Sequence, residues 1–307
     1  MITTVCLNPA IDKTATLPYL EPGEVNRLED VRYDIGGKGL NVAKTLCRLG
    51  IEASCVGCLG EEDERAFMAM LKHEGLVFSH IPLNGNVRCN LKILDQKSRQ
   101  VTEFNESGPI MDSQQLEAFL LLLKKEAQGS AYVTLSGSLP VGCSQDVYQR
   151  CMHTLPNHTI ILDATGEALL LGLKEKPFLI KPNLKEMEAV VQQKLRTLRA
   201  IRDAALSLIA KGAQHVLVSM GPYGALLTNG IRTTFSPALQ VNAISTVGAG
   251  DAMLAGILMG LHQKENVFDA FCYGIAAGAA SVMTEGTQPL VLEDFQTLLP
   301  KVTLQEV

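Results

Sequence analysis

Along the chain, short apolar runs rich in β-branched residues alternate with longer segments whose apolar positions recur at helical spacing. Residues 131–135, 159–163, 178–181 and 215–220 read as strands, and residues 144–154 and 198–211 as helices. Strands alternating with helices call for right-handed crossovers and a mostly parallel sheet covered on both faces. Residues 250–262 and 267–284 are long helical segments rich in small side chains, as in Ala276-Ala277-Gly278-Ala279-Ala280. The polar break His262-Gln263-Lys264-Glu265-Asn266 and Glu285 make them packed helices of a soluble domain rather than a membrane hairpin. Two stretches depart from this rhythm. Residues 25–35 and 87–105 alternate polar and apolar positions, which predicts strands with one solvated face, outside the main sheet. Such a small sheet closes over a ligand or pairs with a copy of itself.

Composition narrows the class. The 307 residues suit one large α/β domain or two ordinary ones, and 47% apolar with 19% charged residues supplies a sizeable core. The net charge is −5 without a block of like charges, so no nucleic-acid partner is expected, although a small basic pocket remains compatible. The N-terminal Met1-Ile2-Thr3-Thr4-Val5-Cys6 reads as a first strand rather than a signal peptide, and no run is long enough to span a membrane. Of eight cysteines only Cys55 and Cys58 form a CxxC, and they sit in an apolar strand-like run. With no second pair and no paired histidines, the thiols are expected to be buried and reduced, in a cytoplasmic protein.

Candidate chemistry lies in glycine-rich junctions. Gly248-Ala249-Gly250-Asp251 stands between an extended run and a helix. Unsatisfied N–H groups and the dipole at a helix start favour an anion, and a first-turn carboxylate can take a proton from an attacking hydroxyl. An ordinary glycine-rich helix start reads equally well from these residues alone. Gly36-Gly37-Lys38-Gly39-Leu40-Asn41 opens another helix without Walker A spacing, and places Lys38 and Asn41 on one face of its first turn. In Lys181-Pro182-Asn183-Leu184-Lys185-Glu186, Asn183 and Glu186 have capping-box spacing, while Glu186 can also hold Mg²⁺ through water. Ser219-Met220-Gly221-Pro222-Tyr223-Gly224 is a strand end with a glycine-rich turn, a plain hairpin or a nucleotide wrap. Asp12, in Asn8-Pro9-Ala10-Ile11-Asp12, sits beyond the first strand, as a turn residue or a hydroxyl acceptor.

The order of these motifs, with Ser136-Gly137-Ser138-Leu139-Pro140 between them, resembles that of the ribokinase-like (PfkB) carbohydrate kinases from residue 1 to about residue 300. The branch it is most similar to holds 1-phosphofructokinase and tagatose-6-phosphate kinase. The resemblance implies a doubly wound, mostly parallel α/β core with helices on both faces and a small β-sheet lid. It would be one kinase domain over residues 1–307, with lid strands from about 13–35 and 87–107. It implies Asp251 as catalytic base and Gly248, Ala249 and Gly250 as the anion hole. Asn183 and Glu186 would organise Mg²⁺ and the ATP phosphates, with Lys181 nearby. Ser219, Gly221 and Gly224 would line the nucleotide site, and Asp12, Gly37 and Asn41 would hold sugar hydroxyls.

Within the family, the resemblance implies that Lys38 and Arg88 form the basic pair of the sugar-phosphate branch, which would clamp the phosphate already on the substrate. The plainer readings are a solvated helix start for Lys38 and a lid-surface charge for Arg88. The family's Thr-Arg-x-Asn reads Val87-Arg88-Cys89-Asn90 here, so Arg88 and Asn90 remain while the Thr is replaced. The resemblance therefore implies phosphorylation of D-fructose 1-phosphate by MgATP, with tagatose 6-phosphate as the alternative substrate. Residues 101–108 resemble the 1-phosphofructokinase pattern and motivate that order. A non-catalytic sensor of sugar phosphate and nucleotide is the alternative from a different class, and a homodimer through the lid is the expected assembly.

Overall fold

The structure is a computed structural model describing residues 1–307. In the first half, β1 (Ile2–Cys6), β2 (Ala10–Leu17) and β3 (Glu29–Gly36) precede α1 (Lys38–Arg48) and β4 (Ala53–Gly60). Then come α2 (Glu64–His73), β5 (Val77–Leu83), β6 (Arg88–Asp95), β7 (Val101–Asn105) and α3 (Ser113–Glu126). The second half runs through β8 (Tyr132–Ser136), α4 (Val147–Thr154), β9 (Thr159–Asp163), α5 (Gly166–Gly172), β10 (Leu179–Ile180) and α6 (Leu184–Val191). It continues with α7 (Leu198–Ala210), β11 (Val216–Ser219), β12 (Ala225–Thr228) and β13 (Thr233–Ser236). The chain ends with α8 (Ala249–His262), α9 (Val267–Ser281), α10 (Leu292–Leu298) and β14 (Gln305–Glu306).

Ten strands form the main sheet in the order β14-β13-β12-β11-β10-β9-β8-β1-β4-β5. The pairs from β11 to β5 are parallel, and β11 through β14 pair antiparallel. Because both faces are covered, β1 and β4 are buried almost throughout rather than at every second position. Val5, Val133, Leu135, Ile160 and Leu162 join α3 through α7 in one core cluster. Ile2 and Ile161 face α8 and α9 on the other side, and Cys6 and Cys55 face α1 and α2 there. Small residues set the spacing of α8 and α9: a Cβ on Gly256 would stand 2.3 Å from the Tyr273 carbonyl oxygen. No helix is long and apolar enough to cross a membrane. All eight cysteines are free thiols.

A second, four-stranded sheet has the order β3-β2-β6-β7. It corresponds to the two alternating stretches, with one shift of boundary. Its first strand begins at Ala10, so Asp12 lies within the lid, opposite Asn90, rather than in a turn beyond β1. The alternation in β2 was hard to read because Thr14, Ala15 and Thr16 carry little hydrophobic contrast. Helix ends differ slightly from expectation: α4 starts at Val147 rather than at residue 144, and α9 stops at Ser281 rather than at residue 284.

Candidate active site

Three elements bring acidic and basic side chains together at the carboxyl ends of the parallel strands. β1 has β8 on one side and β4 on the other, so the strand order reverses beside it, the position where open α/β sheets form crevices. β9 ends in Asp163, whose side chain is fully buried. Lys38, the first residue of α1, places Nζ 3.0 Å from Asp163 Oδ1 and 3.7 Å from Glu186 Oε1. Lys181, just after β10, places Nζ 3.2 Å from Asp163 Oδ2. Burial alone would push the Asp163 carboxyl up, but Lys181 and Lys38 hold it below the usual range. Burial would likewise lower Lys38, yet Asp163, Asp251 and Glu186 hold it above the usual lysine range.

α8 begins at Ala249, capped by Gly248 at φ +79°, a left-handed conformation that glycine adopts without Cβ strain. Asp251 follows in the first turn and accepts from Asn41 Nδ2 at 2.8 Å, which joins α8 to α1. Burial, reinforced by the nearby Asp163 carboxylate, pushes the Asp251 carboxyl up to about 6 against the opposing pull of Lys38, Lys181 and Asn41. A carboxylate with that affinity for a proton, beside a helix start where the Ala249 N–H reaches only the Thr246 carbonyl at 3.4 Å, can deprotonate a hydroxyl while the N–H groups receive an anion.

Asn183 and Glu186 form the capping box of α6. Asn183 Oδ1 accepts from the Glu186 N–H at 2.9 Å, and Glu186 Oε2 accepts from the Asn183 N–H at 2.8 Å. Such a cap stabilises a helix by about 1 kcal/mol. Glu186 Oε1 is left to face Lys38, so one residue serves both the cap and the site. A bridge between Asn183 and Ser219 ties this helix start to the end of β11. Gly221 opens a short 3₁₀ turn, and Gly224 closes it before β12 runs back antiparallel.

The lid supplies the opposite wall. Asp12 is buried and doubly held: Asn90 Nδ2 donates to Oδ1 at 2.8 Å, and Lys92 Nζ to Oδ2 at 3.0 Å. Arg88 Nε donates to the Asn8 carbonyl at 3.1 Å. One cavity of about 750 Å³ is lined by Asp12, Gly37, Lys38, Asn41, Arg88 and Asn90, by Lys181, Asn183, Glu186, Ser219, Gly221 and Gly224, and by Gly248, Ala249, Gly250 and Asp251. Every site residue expected from the sequence therefore opens on the same space. Lys92, Glu103 and Asn105 line it too, and Asp163 anchors two of its lysines; none of these four was anticipated. A signal for them existed. Asn90 and Lys92 share a face by strand alternation, and Asp163 is a carboxylate that ends an apolar strand.

Residues 5–294 match the model of the pfkB family of carbohydrate kinases. The chain belongs to that family. This kinase is 33% identical over 306 residues to 1-phosphofructokinase of Escherichia coli strain K12, covering 99% of this chain and 98% of that one. It is 37% identical over 283 residues to 1-phosphofructokinase of Rhodobacter capsulatus, covering 90% of each. Among solved structures, phosphofructokinase-2 from Escherichia coli, in complex with substrates and products, superposes with a TM-score of 0.91. It shares 27% identity and 98% of each chain. The kinase thus has the mixed α/β fold with a small separate sheet that its sequence motifs implied.

Proposed function

We propose that this kinase transfers the γ-phosphoryl group of ATP to the 6-hydroxyl of D-fructose 1-phosphate, giving fructose 1,6-bisphosphate and ADP. One observation carries the phosphorylated substrate. Lys38 and Arg88, from α1 and the lid, together line a second, smaller cavity of about 230 Å³ with Asn8, Ser136 and Ser138. Lys38, Arg88 and Glu186 border both cavities. Two cations flanked by hydroxyl and amide groups suit a phosphate dianion leaving water. The full-length similarity to 1-phosphofructokinases supports fructose 1-phosphate as that substrate.

In this reading Asp251 accepts the proton of the 6-hydroxyl as its oxygen bonds to phosphorus and the bond to the β-phosphate oxygen breaks. The N–H groups of Gly248, Ala249 and Gly250 receive the charge on the transferring group, and Lys181 stands beside them. Asp12, Gly37, Asn41 and Asn90 hold sugar hydroxyls, and Ser219, Gly221 and Gly224 border the nucleotide. Mg²⁺ bound with ATP neutralises phosphate charge. With Oε2 taken by the cap, Glu186 Oε1 is the carboxylate oxygen that would hold the ion through water. The sharing of one cavity by lid and core supports a single kinase domain over residues 1–307. A coupled assay with ATP and a panel of free and phosphorylated ketohexoses tests the proposal. Fructose 1-phosphate should give the highest kcat/KM. A higher value for tagatose 6-phosphate would reassign the substrate, and no turnover with any sugar would favour a sensor.

The lid also suits pairing with a second copy of this chain. Tyr33, Lys13, Leu91 and Phe104 are neighbours across its strands, on the face opposite Asp12 and Asn90. Tyr33 and Phe104 remain 55% and 53% exposed, an aromatic surface in which Lys13 Nζ lies over the Tyr33 ring at 5.5 Å. Light scattering on the wild type and on Phe104→Arg tests this: a dimer should become a monomer.

A further inference from the structure

We infer that Lys44 is a positioning residue that couples seating of the sugar-binding lid to placement of the anion hole, an inference that rests on the kinase reading above. Lys44 lies one turn beyond Asn41 on α1 and is 5% exposed. Its Nζ donates to two main-chain carbonyls, Ile35 at 2.7 Å and Thr287 at 3.0 Å. Burial lowers its pKa, and Glu74, Asp34, Asp12 and Asp251 oppose that only from a distance. Burying an ammonium without a paired carboxylate is costly, and an apolar side chain would fill the same space without that cost. What the cation does there is hold two segments together.

Each segment carries a different half of the site. Ile35 is the penultimate residue of β3 and pairs with Ile11 of β2, next to Asp12. Thr287 follows Gly286, whose carbonyl accepts from Ser245 Oγ at 3.2 Å. Ser245 Oγ in turn accepts from the Val247 N–H at 3.3 Å, and Val247 leads directly into Gly248. The Val282 carbonyl accepts from the N–H groups of Ile244 and Ser245, which fixes the same segment from its other end. A more exposed fastening crosses the same seam, where Arg32 Nη1 meets Glu285 Oε2 at 2.7 Å. Moving β3 therefore shifts the carbonyl that Lys44 holds, and with it the turn that supports the start of α8.

Calorimetry with a non-hydrolysable ATP analogue and Mg²⁺, with and without saturating fructose 1-phosphate, tests the inference. In the wild type the sugar phosphate should tighten the analogue by about fivefold or more, the usual lower range of coupling between sites. In Lys44→Met the tightening should fall to less than twofold, with each ligand's separate Kd within threefold of wild type. Its kcat should drop by about tenfold, and Lys44→Arg should restore part of the coupling. Arg32→Ala, at the exposed end of the seam, should reduce the coupling about twofold and serves if Lys44→Met does not fold. Full coupling in Lys44→Met, or in Arg32→Ala should it stand alone, would overturn the inference. So would a wild type that turns over sugar phosphate yet binds the two ligands independently. A wild type with no turnover on any sugar phosphate would instead overturn the kinase reading.

Discussion

Lys38 Nζ donates to Asp163 Oδ1 over 3.0 Å, joining the first residue of α1 to the last residue of β9 across 125 positions of sequence. Lys181 stands on the other oxygen of the same carboxylate. Asp163→Asn would leave two lysines without their shared counter-charge. Breaking a buried pair this way costs about 3–5 kcal/mol. The folded pKa of Asp163 is depressed, so its contribution is present at neutral pH and disappears only as pH falls below the ordinary carboxylate range. Chemical denaturation at pH 7 should show the loss, and an unchanged midpoint would refute it.

Asp251→Asn should lower kcat by about 10²–10⁴, the range for a positioned base, while leaving ATP affinity within a few-fold. Single-turnover rates and nucleotide titration separate the two effects. Wild-type rates in the mutant would remove Asp251 from the chemistry.

The raised Asp251 pKa has a double pH consequence. As a base it must be ionised, so kcat should rise as pH passes through about 6 and then level off. For stability the sign is reversed. A folded pKa raised from 3.8 to about 6 gives a favourable contribution that is full below 3.8 and lost above about 6. Asp251→Asn should therefore raise Tm at pH 8 and have little effect near pH 4, which a pH series of thermal scans will show.

Arg88→Ala should raise KM for fructose 1-phosphate at least tenfold and leave KM for ATP nearly unchanged. Lys38→Ala should raise the same KM but also lower kcat, because the Lys38 charge helps keep the Asp251 carboxyl ionised. Equal effects of Arg88→Ala on both substrates would sink the clamp.

Glu186→Gln separates cap from metal. The amide oxygen still accepts from the Asn183 N–H, so the helix start survives, while the charge facing the cavity is gone. Thermal stability should hold and the Mg²⁺ concentration for half-maximal rate should rise several-fold. An unchanged Mg²⁺ requirement would leave Glu186 with the cap alone.

Most of this architecture was legible because its signals are local. Gly248 and Gly37 mark helix starts, Pro182 ends a strand, and lid alternation betrays a solvated face. Asp163 was less legible because its role depends on two lysines that approach from positions 38 and 181. Lys92 was missed because it looks like a solvent-facing charge until β2 places Asp12 beside it. Lys44 was invisible for a related reason: its partners are carbonyls, and a carbonyl leaves no trace in residue identity.

The pairing of β2 with β6 has one more consequence. These strands run parallel in the lid, with Asp12 opposite Asn90, while β3, α1, β4, α2 and β5 lie between them in the chain. The β2–β6 pair cannot form until that long excursion closes, which is entropically slow, whereas β2–β3 and β6–β7 pair locally. A nascent chain emerging residue by residue carries Asp12 long before its partners exist. The Asp12 site thus waits on that closure, and refolding followed by fructose 1-phosphate binding should lag behind recovery of backbone structure.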